Sequence, residues 1–464
     1  MKITILGAGK SGRAAAALAQ RKGHQVFLSE YSSIDKFQSN LNEIEELEID
    51  FEFGEHSFER ILESDLIVSS PGIPPSAEVI IKAEEAGIEI ISEVEFAYRH
   101  LNGNPIIGVT GTNGKTTVVN LIHYIFQFCG KESHLAGNVG TPLSTLVDNI
   151  KNDDIIVLEL SSYQLDRCST LKCDTAIILN ITEDHLPYHG GFQQYINAKW
   201  KITTNMHSDN LLVLVADDNT LNEQIFVGGH LKSKANKAVV TTKGRGGIPD
   251  GTKCGVFLEG EQIKFISGGN DCLPGSNKEE ILMAAEQLAI PGMHNLYNSM
   301  AAAVAARRYE IRNEDIRDAL TSFKGVEHRM EEVRSVNNVL YVNDSKATNV
   351  NAAWYALTSY NRPIIWIAGG VGDNDYSILD KVAHSNVKAI VTLGEQSEEI
   401  FQHFCLKMKC DKAVGLDDAV NIASEIAEEG DVVLFSPACK SFDMFTNFEE
   451  RGQAYKSLVR ELSD

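Results

Sequence analysis

The sequence lacks the features of a secreted, membrane-spanning or zinc-binding chain. None of its 464 residues belongs to an uninterrupted apolar run near the roughly 18 residues that a membrane helix needs. The chain opens with MKITILGAGK, which predicts a strand and a turn rather than a signal segment. The eight cysteines include no CxxC pair, so neither a zinc site nor a disulfide framework is expected. We therefore expect a soluble cytoplasmic protein with reduced, buried thiols and no membrane association.

Positive charge is also scarce. Lys and Arg total 42 against 64 Asp and Glu, which gives a net charge of -22. Such an acidic surface repels phosphate backbones, so we expect no nucleic-acid partner. A single nucleotide can still bind, because backbone N–H groups and a few lysines outweigh global charge at short range. The length suggests two to four domains.

Three segments each begin with an apolar strand, a glycine-rich turn and a helix, which is typical of parallel α/β sheets. They start at KITILGAGKSG, at IIGVTGTNGKTT and near Gly325, where the strands LYVND, PIIWIAGG, KAIVTLG and DVVLFSP follow. We predict an α/β fold of three domains. These are a Rossmann-like domain at 1–93, a central P-loop-type ATPase domain with a mainly parallel sheet at 94–324, and a C-terminal Rossmann-like domain at 325–464. The glycine-rich stretch from about 219 to 277 is predicted to form β-hairpins.

TGTNGKTT between a strand and a helix predicts a phosphate-binding loop. Lys115 can reach the terminal phosphates, and Thr116 can bind magnesium. The position five residues before Gly114 is Val109 rather than glycine, so this is a variant of the standard loop. A plain glycine turn with a lysine on its rim is the structural alternative. The residues expected to hold ATP here are Gly111, Thr112, Asn113, Gly114, Lys115, Thr116 and Thr117.

Two further strands end in candidate metal ligands. Glu159 ends the apolar strand IIVLEL, where an ionised carboxylate is costly unless a cation lies nearby. The strand TAIILN ends at Asn180, and the polar residues Thr182, Glu183, Asp184 and His185 follow, at the edge where α/β proteins bind ligands. Glu159 is predicted to serve the first magnesium and His185 the second. The alternatives are a solvated strand end and a structural histidine.

The chain resembles the Mur ligase family from end to end. The resemblance rests on GTNGKTT, LELSSYQL, NITEDHL, HNLYN, EHR, NDSKATN and SPACKSFDMFTNFEERG. LELSSYQL, DSKATN and the last string are most similar to the branch that adds D-glutamate to UDP-N-acetylmuramoyl-L-alanine. This resemblance implies a monomeric, ATP-dependent amide ligase that acts through an acyl phosphate in cytoplasmic peptidoglycan precursor synthesis. It also implies ATP and a pair of Mg²⁺ ions.

The resemblance also implies roles for individual residues. Residues that would contact the UDP-substrate are Lys10, Ser11, Glu30, Tyr31, Gly72 and Asn138. Residues that would bind the base and ribose of ATP are Asn295, Arg329 and Asp344. Residues that would surround D-glutamate and the acyl phosphate are Lys346, Thr348, Ser441 and Phe448. The implied catalytic set is Lys115, Glu159, His185, Lys199 and Lys346, and the implied metal set is Thr116, Glu159, His185 and Lys199.

Lys199 carries the most specific of these implications. In the family, a lysine in the matching A-K context is carbamoylated by carbon dioxide and then serves the second metal. An unmodified ammonium beside two magnesium ions would be strongly unfavourable. From the residues alone, NAKWK would predict an ordinary lysine on a helix surface.

The sequence departs from the family pattern at two places. Pro187 stands where an aspartate usually follows EDHL. GGVGDNDY, at 369–376, lacks the family lysine that pairs with a carboxylate of D-glutamate. SPACKS places Lys440 beside Ser441, and we hypothesise that Lys440 takes over this pairing. A solvent-facing lysine is the alternative, because adjacent residues often point to opposite sides.

Three other functions remain open on sequence alone. Gly7, Gly9 and Gly12 form a GxGxxG pattern with Glu30 downstream, which is typical of nicotinamide-dependent oxidoreductases. That pattern does not explain GTNGKTT or Glu159. A non-catalytic nucleotide-binding switch and a Mur-type ligase with a different amino-acid acceptor are the remaining alternatives.

Overall fold

The computed structural model describes residues 1–138, 140–223, 234–249, 252, 254–268, 272–274, 278–372 and 374–463. Within these ranges the chain forms three sheets. They belong to two compact units, the first made of Met1–Leu288 and Tyr297–Ser322 and the second of Ala289–Leu296 and Phe323–Asp464.

The first sheet is fully parallel, with the order β3-β2-β1-β4-β5. The chain therefore reverses its direction of travel across the sheet between β1 and β4, next to the turn after β1. Ligands of open α/β sheets bind at such a switch point, outside the carboxyl ends of the strands. The elements are β1 Lys2–Leu6, α1 Lys10–Arg21, β2 Gln25–Glu30, α2 Leu41–Glu45, β3 Asp50–Phe53, α3 Phe58–Ile61, β4 Leu66–Ser69, α4 Glu78–Glu85, β5 Glu89–Ser92 and α5 Glu93–Tyr98.

The second sheet has the order β14-β13-β12-β11-β10-β9-β6-β8-β7. It is parallel from β7 to β12, and β13 and β14 are antiparallel. Its strands are β6 Ile106–Thr110, β7 Ser133–Gly137, β8 Ile155–Glu159, β9 Thr175–Ile178, β10 Leu211–Val215, β11 Asn236–Thr241, β12 Cys254–Glu259, β13 Gln262–Ile266 and β14 Glu279–Ala284. Its helices are α6 Lys115–Phe128, α7 Leu143–Leu146, α8 Ser162–Asp166, α9 Leu186–His189, α10 Phe192–Trp200, α11 Asn219–Asn222, α12 Met293–Arg308 and α13 Asn313–Ser322.

Continuous burial explains the central strands. Every residue of β6, β8, β9 and β10 is buried, and parallel strands covered on both faces are near-continuous apolar runs. α6 packs its apolar face on this sheet, where Val118, Leu121, Ile122, Ile125 and Phe126 are buried. These elements position the ends of β6, β8 and β9 side by side.

The prediction for residues 219–277 is only partly confirmed. β12 and β13 form a hairpin, with Glu259 opposite Gln262. β11, however, pairs in parallel with β10 and so continues the central sheet. Its last four residues, AVVT, are all buried, as expected for a strand covered on both faces. Parts of the predicted hairpin region, such as residues 224–233, lie outside the described residues.

The expectation of reduced thiols is wrong for one pair. Cys254 and Cys272 are joined in a disulfide, with their Cα atoms 6.2 Å apart. The pair closes a loop from the start of β12 to the segment after β13, a proximity that spacing in the sequence does not reveal. The other cysteines are free.

The third sheet lies in the second unit and has the order β15-β16-β20-β17-β18-β19, parallel except for β15. Apolar clusters cover both of its faces. Its elements are β15 Glu331–Val336, β16 Val339–Asn343, α14 Val350–Leu357, β17 Ile364–Gly369, α15 Asp380–Asn386, β18 Val387–Leu393, α16 Ser397–Phe404, β19 Lys409–Lys412, α17 Leu416–Ile426, β20 Val432–Phe435 and α18 Phe448–Glu461.

The predicted α/β fold class is confirmed, since the three sheets are mainly parallel and helices alternate with their strands along the chain. The boundaries near residues 93 and 324 stay predictions. Among the described residues, no helix is both long and apolar enough to cross a membrane.

Candidate active site

The turn between β6 and α6 has the backbone shape of an anion-binding loop. Gly111 and Gly114 have φ angles of 154° and 87°, in the region that favours glycine. A Cβ atom at Gly114 would also lie 2.5 Å from Oδ1 of Asn298. α6 begins at Lys115, so the unpaired N–H groups of its first turn lie next to the loop. This geometry fits the predicted ATP loop at 111–117.

The loop is held from the end of the neighbouring strand β9. Thr112 donates its backbone N–H to the carbonyl of Asn180 over 2.9 Å. Asn113 donates its N–H to the side-chain oxygen of Asn180 over 2.8 Å, and the Asn180 amide donates back over 3.0 Å. The Thr112 hydroxyl also lies 3.0 Å from the hydroxyl of Tyr195. Asn180 therefore orders the loop, a role that its position at the strand end did not reveal.

Glu159 ends β8 beside this loop. Its side chain is buried, and one carboxylate oxygen accepts a hydrogen bond from the Thr116 hydroxyl over 2.8 Å. The other oxygen accepts from the Asn138 amide over 3.0 Å. α8 begins directly afterwards with a capping box between Ser161 and Gln164, which fixes where β8 ends. The structure therefore brings Thr116 and Glu159 together, and it places Asn138 on the same carboxylate.

Two lysine side chains converge on one carbonyl of the loop. Lys115 Nζ and Lys199 Nζ donate to the Gly111 carbonyl over 2.9 and 2.7 Å. Lys199 is only 1% exposed. Burial, together with the charge of Lys115, holds the pKa of Lys199 well below its ordinary value, although nearby carboxylates oppose this shift. Lys199 is therefore biased toward the neutral, nucleophilic amine.

His185 lies in the segment between β9 and α9. Its Nε2 is 3.4 Å from a carboxylate oxygen of Asp184, and its ring centroid is 4.9 Å from that of Tyr163. Among the described residues, the ligand atoms of His185, Asp184 and Glu159 do not lie within 4.8 Å of one another.

An aromatic cluster that sequence reasoning missed surrounds this segment. Tyr163 stacks on His189 with centroids 5.5 Å apart and contacts Tyr188 edge-on at 4.1 Å. Tyr188 donates its hydroxyl proton to the carbonyl of Ile73 over 3.2 Å. Pro187 is the second residue of this short helix, in the first turn, where proline is tolerated. The string HLPYH holds His185, Tyr188 and His189, but it does not reveal their contact with Tyr163.

A cleft of about 900 Å³ opens at the carboxyl edge of the first sheet. Its lining includes the predicted substrate residues Glu30, Tyr31 and Gly72, together with Gly7 and Gly9. The Glu30 carboxylate accepts hydrogen bonds from the N–H groups of Ala8 and Ser32 over 2.9 and 2.8 Å. These contacts fix the strand ends that frame the cleft, and the volume suits a nucleotide-sized ligand.

Lys10 and Ser11 are not in the described lining of this cleft. Lys10 Nζ instead donates to the carbonyl of Gly140 over 2.7 Å, next to the segment that carries Asn138. This contact places Lys10 beside the segment that carries Asn138, another residue predicted to contact the UDP-substrate.

In the second unit, the predicted nucleotide residue Asp344 carries a buried carboxyl group. Burial raises the pKa of Asp344 to about 6, against the attraction of Arg329 and a hydrogen bond from Ser436. The N–H of Met330 also donates to Asp344 over 3.2 Å. Asn295 lies at the start of α12, and its amide donates to the carbonyl of Pro291 over 2.7 Å.

The predicted acceptor residues lie at the carboxyl edge of the third sheet. Lys346 Nζ is 5.0 Å from the ring centroid of Phe448. Ser441 is buried, whereas Lys440 is exposed. The backbone of Lys440 pairs with that of Val371 through hydrogen bonds of 2.8 and 2.9 Å, which places it beside the GGVG segment. Thr348 is half-buried in the loop before α14.

A second cluster of acidic residues in the second unit forms ion pairs with a lysine. Glu327, His328 and Glu331 lie close enough together to hold an ion. The ammonium of Lys456 contacts the two carboxylates over 2.7 and 2.6 Å. This lysine supplies the positive charge, so the group needs no metal.

Comparison with known families gives three matches along the chain. The matching family models are described as Mur ligase MurD-like, N-terminal domain, over residues 1–92, Mur ligase middle domain over 109–306, and Mur ligase, glutamate ligase domain over 328–439.

Individual proteins are similar over nearly the whole chain. A UDP-N-acetylmuramoylalanine--D-glutamate ligase of Salinibacter ruber is 39% identical, covering 99% of this chain and 98% of that protein. One of Bacteroides fragilis is 40% identical, covering 99% of this chain and 100% of that protein.

Solved structures share the fold at lower identity. The UDP-N-acetylmuramate-alanine ligase of Thermotoga maritima has a TM-score of 0.56 at 16% identity, over 99% of both chains. A pseudomurein peptide ligase type C of Methanothermus fervidus has a TM-score of 0.58 at 18% identity, over 99% of both chains.

Proposed function

The chain belongs to the Mur ligase family, and on that premise we propose that it joins D-glutamate to UDP-N-acetylmuramoyl-L-alanine with ATP. The observation that carries this proposal is the similarity to D-glutamate ligases along 99% of the chain. The phosphate loop beside Glu159 adds a physical reason for ATP use. The product would be a cytoplasmic precursor of peptidoglycan, made by a monomer whose three domains lie at 1–93, 94–324 and 325–464.

The residues at the phosphate loop fit ATP with magnesium. Backbone N–H groups of the loop and the Lys115 ammonium would hold the phosphate oxygens. Thr116 and Glu159 supply a hydroxyl and a buried carboxylate 2.8 Å apart, an oxygen donor set that suits Mg²⁺. When bound, Mg²⁺ would offset the charge that develops on the phosphates. Removal of either oxygen would weaken nucleotide binding.

We propose that Lys199 is carbamoylated and that the carbamate, with His185, holds a second Mg²⁺. Its buried, neutral-leaning amine can attack carbon dioxide, forming an N–C bond and releasing one proton. The product is a carboxylate, which is compatible with the position of Lys199 close to Lys115. An ammonium at the same place would face both that lysine and the metal ions.

The substrates are assigned to the sites that their chemistry fits. The cleft of the first sheet would take the UDP group, with Glu30, Tyr31 and Gly72 in its lining. Lys10 and Ser11 would also contact the UDP group, and Asn138 would reach the UDP-muramoyl substrate. Residues proposed to bind the base and ribose of ATP are Asn295, Arg329 and Asp344. Residues proposed to bind D-glutamate are Lys346, Thr348, Lys440, Ser441 and Phe448.

The reaction follows in two balanced steps. The carboxylate of the L-alanyl group attacks the γ-phosphorus of ATP, and the bond to the bridging oxygen breaks with release of ADP. The amine of D-glutamate then attacks the acyl carbon, phosphate departs, and the nitrogen loses a proton. Lys115 and Lys346 would stabilise negative charge in these steps, and the protein would otherwise hold the reactants in line.

A panel of amino-acid acceptors tests the proposal. Purified protein mixed with ATP, Mg²⁺ and UDP-N-acetylmuramoyl-L-alanine should release phosphate rapidly with D-glutamate. L-alanine, L-lysine and diaminopimelate should give at most a few per cent of that rate. Phosphate release with one of these instead would assign another acceptor. A change in nicotinamide absorbance without phosphate release would favour the oxidoreductase alternative that GxGxxG suggested.

A further inference from the structure

Arg451 is a buried arginine without an acidic partner. It lies in the first turn of α18 and is 1% exposed. Among the described residues, no carboxylate lies within ion-pair distance of its guanidinium, and its Nη1 makes no hydrogen bond. Burial lowers the pKa of Arg451 to about 10, although Asp344 and Asp443 attract its charge. The group therefore remains a cation at neutral pH, and a buried cation of this kind is costly to keep.

The hydrogen bonds of Arg451 join two separate loops. Nη2 donates to the carbonyl of Ser345 over 2.8 Å and to the carbonyl of Cys439 over 3.0 Å. Nε donates to the Ser345 hydroxyl over 3.1 Å. That hydroxyl in turn donates to the carbonyl of Phe448 over 2.8 Å. The planar guanidinium thus fixes the peptide groups directly before Lys346 and directly before Lys440.

Nη1 of Arg451, which makes no hydrogen bond, lies next to a third segment, the GGVG residues that begin at the end of β17. A Cβ atom built at Gly370 would be 3.1 Å from this nitrogen and 2.1 Å from the carbonyl of Lys440. Gly370 also has a φ of 136°, which favours glycine. The guanidinium therefore meets the end of β17, where the family lysine for D-glutamate is missing from GGVGDNDY. The positive charge of Arg451 therefore lies next to Gly370, on the buried side of this segment.

We propose that Arg451 is a positioning residue that sets Lys346 and Lys440 for an acceptor with two carboxylates. The inference rests on the proposed D-glutamate transfer and adds to it the group that aligns the two lysines. Arg451 does not touch the acceptor, because its polar atoms are buried. It acts by holding both loops in register and by adding positive potential beneath them. Loss of this alignment should weaken acceptor binding and leave the ATP and UDP sites unchanged.

Kinetics of Arg451→Lys and Arg451→Met test the proposal. Both should raise KM for D-glutamate by about 10- to 100-fold, as expected for lost charge-assisted contacts, with KM for ATP and for the UDP-substrate within about twofold. The preference for D-glutamate over D-glutamine should shrink by roughly tenfold, because the side-chain carboxylate loses its aligned partner. A general loss of stability would instead lower the rates with D-glutamate and with D-glutamine by the same factor. Unchanged KM for D-glutamate in the folded variants would overturn the proposal.

Two further variants keep the test decisive. Tyr455→Phe is the matched control, since Tyr455 is buried on the same helix and its hydroxyl contacts only the carbonyl of Val433 among the described residues, over 3.4 Å. It should leave KM for D-glutamate unchanged. If the Arg451 variants do not fold, Ser345→Ala decides, because it removes only hydroxyl contacts and should raise that KM several-fold. Failure of the wild type to use D-glutamate would contradict the proposed function instead.

Discussion

At the residue scale, two side chains of the candidate active site have pKa values that burial shifts. Lys199 is buried beside Lys115, and Asp344 is buried in the second unit. In each case desolvation shifts the pKa toward the neutral form. The environment of Lys199 therefore favours the neutral amine that the proposed carbamoylation requires, and burial raises the pKa of Asp344 to about 6.

Activity should depend on bicarbonate through Lys199. Lys199→Ala should lose most of its turnover while it still binds the UDP-substrate, because the carbamate cannot form. A short carboxylic acid should partly restore activity by occupying the vacated volume. Lys201→Ala is the control, since Lys201 is a half-exposed neighbour whose ammonium pairs with Asp166 over 2.7 Å. Full activity of Lys199→Ala in bicarbonate-free buffer would reject the carbamate.

Asp344 predicts a pH dependence of stability. Its folded pKa of about 6 exceeds the ordinary 3.8, so the folded state holds its proton more tightly. The contribution of Asp344 to the free energy of unfolding is therefore fully present below pH ~3.8 and is lost as pH rises through ~6. The loss is roughly 3 kcal/mol, at about 1.4 kcal/mol per unit of pKa difference. Asp344→Asn should match the wild type in urea at pH 4 and exceed it by about 1–3 kcal/mol at pH 8. Parallel curves across this range would contradict the assignment.

Lys440 should contribute to D-glutamate binding. A charge-assisted hydrogen bond is worth about 1.5–3 kcal/mol, so Lys440→Ala should raise KM for D-glutamate by roughly 10- to 100-fold. The constants for ATP and the UDP-substrate should hardly change. Lys407→Ala is the control, because Lys407 lies in the same unit and pairs with Asp380 over 2.8 Å. An unchanged KM in Lys440→Ala would leave it as a solvent-facing lysine.

At the scale of elements, the strand–loop–helix unit of the phosphate loop depends on glycine. Gly114 has a φ of 87° and leaves no room for a Cβ atom next to Asn298. The loop is also bonded to Asn180 at the end of β9. A side chain added at Gly114 would therefore displace the loop backbone from its present position.

Gly114→Ala should weaken ATP binding strongly. The strained backbone costs about 1 kcal/mol and the contact with Asn298 adds to it, so the ATP dissociation constant should rise at least tenfold. Gly87→Ala is the matched control, since its φ is 74° but no heavy atom lies within 4 Å of the added Cβ. Calorimetric titration would measure both. Equal ATP affinity in the two variants would show that the loop tolerates the methyl group.

At the scale of the whole molecule, the two compact units have separate sheets and separate apolar cores. Units of this kind often unfold in separate steps. The described lining of the cleft proposed to bind UDP lies in the first unit. Ligand binding to one unit should therefore be visible in the melting of that unit.

Differential scanning calorimetry should show two transitions, of which UDP shifts one. At 100 times its dissociation constant a ligand adds about 2.7 kcal/mol to the unit that binds it. Tyr31→Ala, at the exposed rim of the cleft, should reduce this shift without lowering the other transition. A single transition, or an equal shift of both, would contradict the assignment of UDP to the first unit.

The sequence by itself determined the three α/β segments and the phosphate loop, because apolar strands, glycine turns and helix periods are local patterns. It also placed Glu159 at a strand end, since an acidic residue that ends an apolar run marks the edge of a parallel sheet. The string SPACKSFDMFTNFEERG indicated the family branch. It did not indicate what Arg451 contacts.

Only the tertiary structure decided which of these side chains meet. It joined Asn180 to the loop, Asn138 to Glu159 and Arg451 to both Ser345 and Cys439. It also continued the central sheet with β11 and paired Cys254 with Cys272. The physical reason is that hydrogen bonds and burial depend on distances between residues far apart in the chain. Local pattern fixes which elements form, and packing of those elements fixes which polar groups share a site.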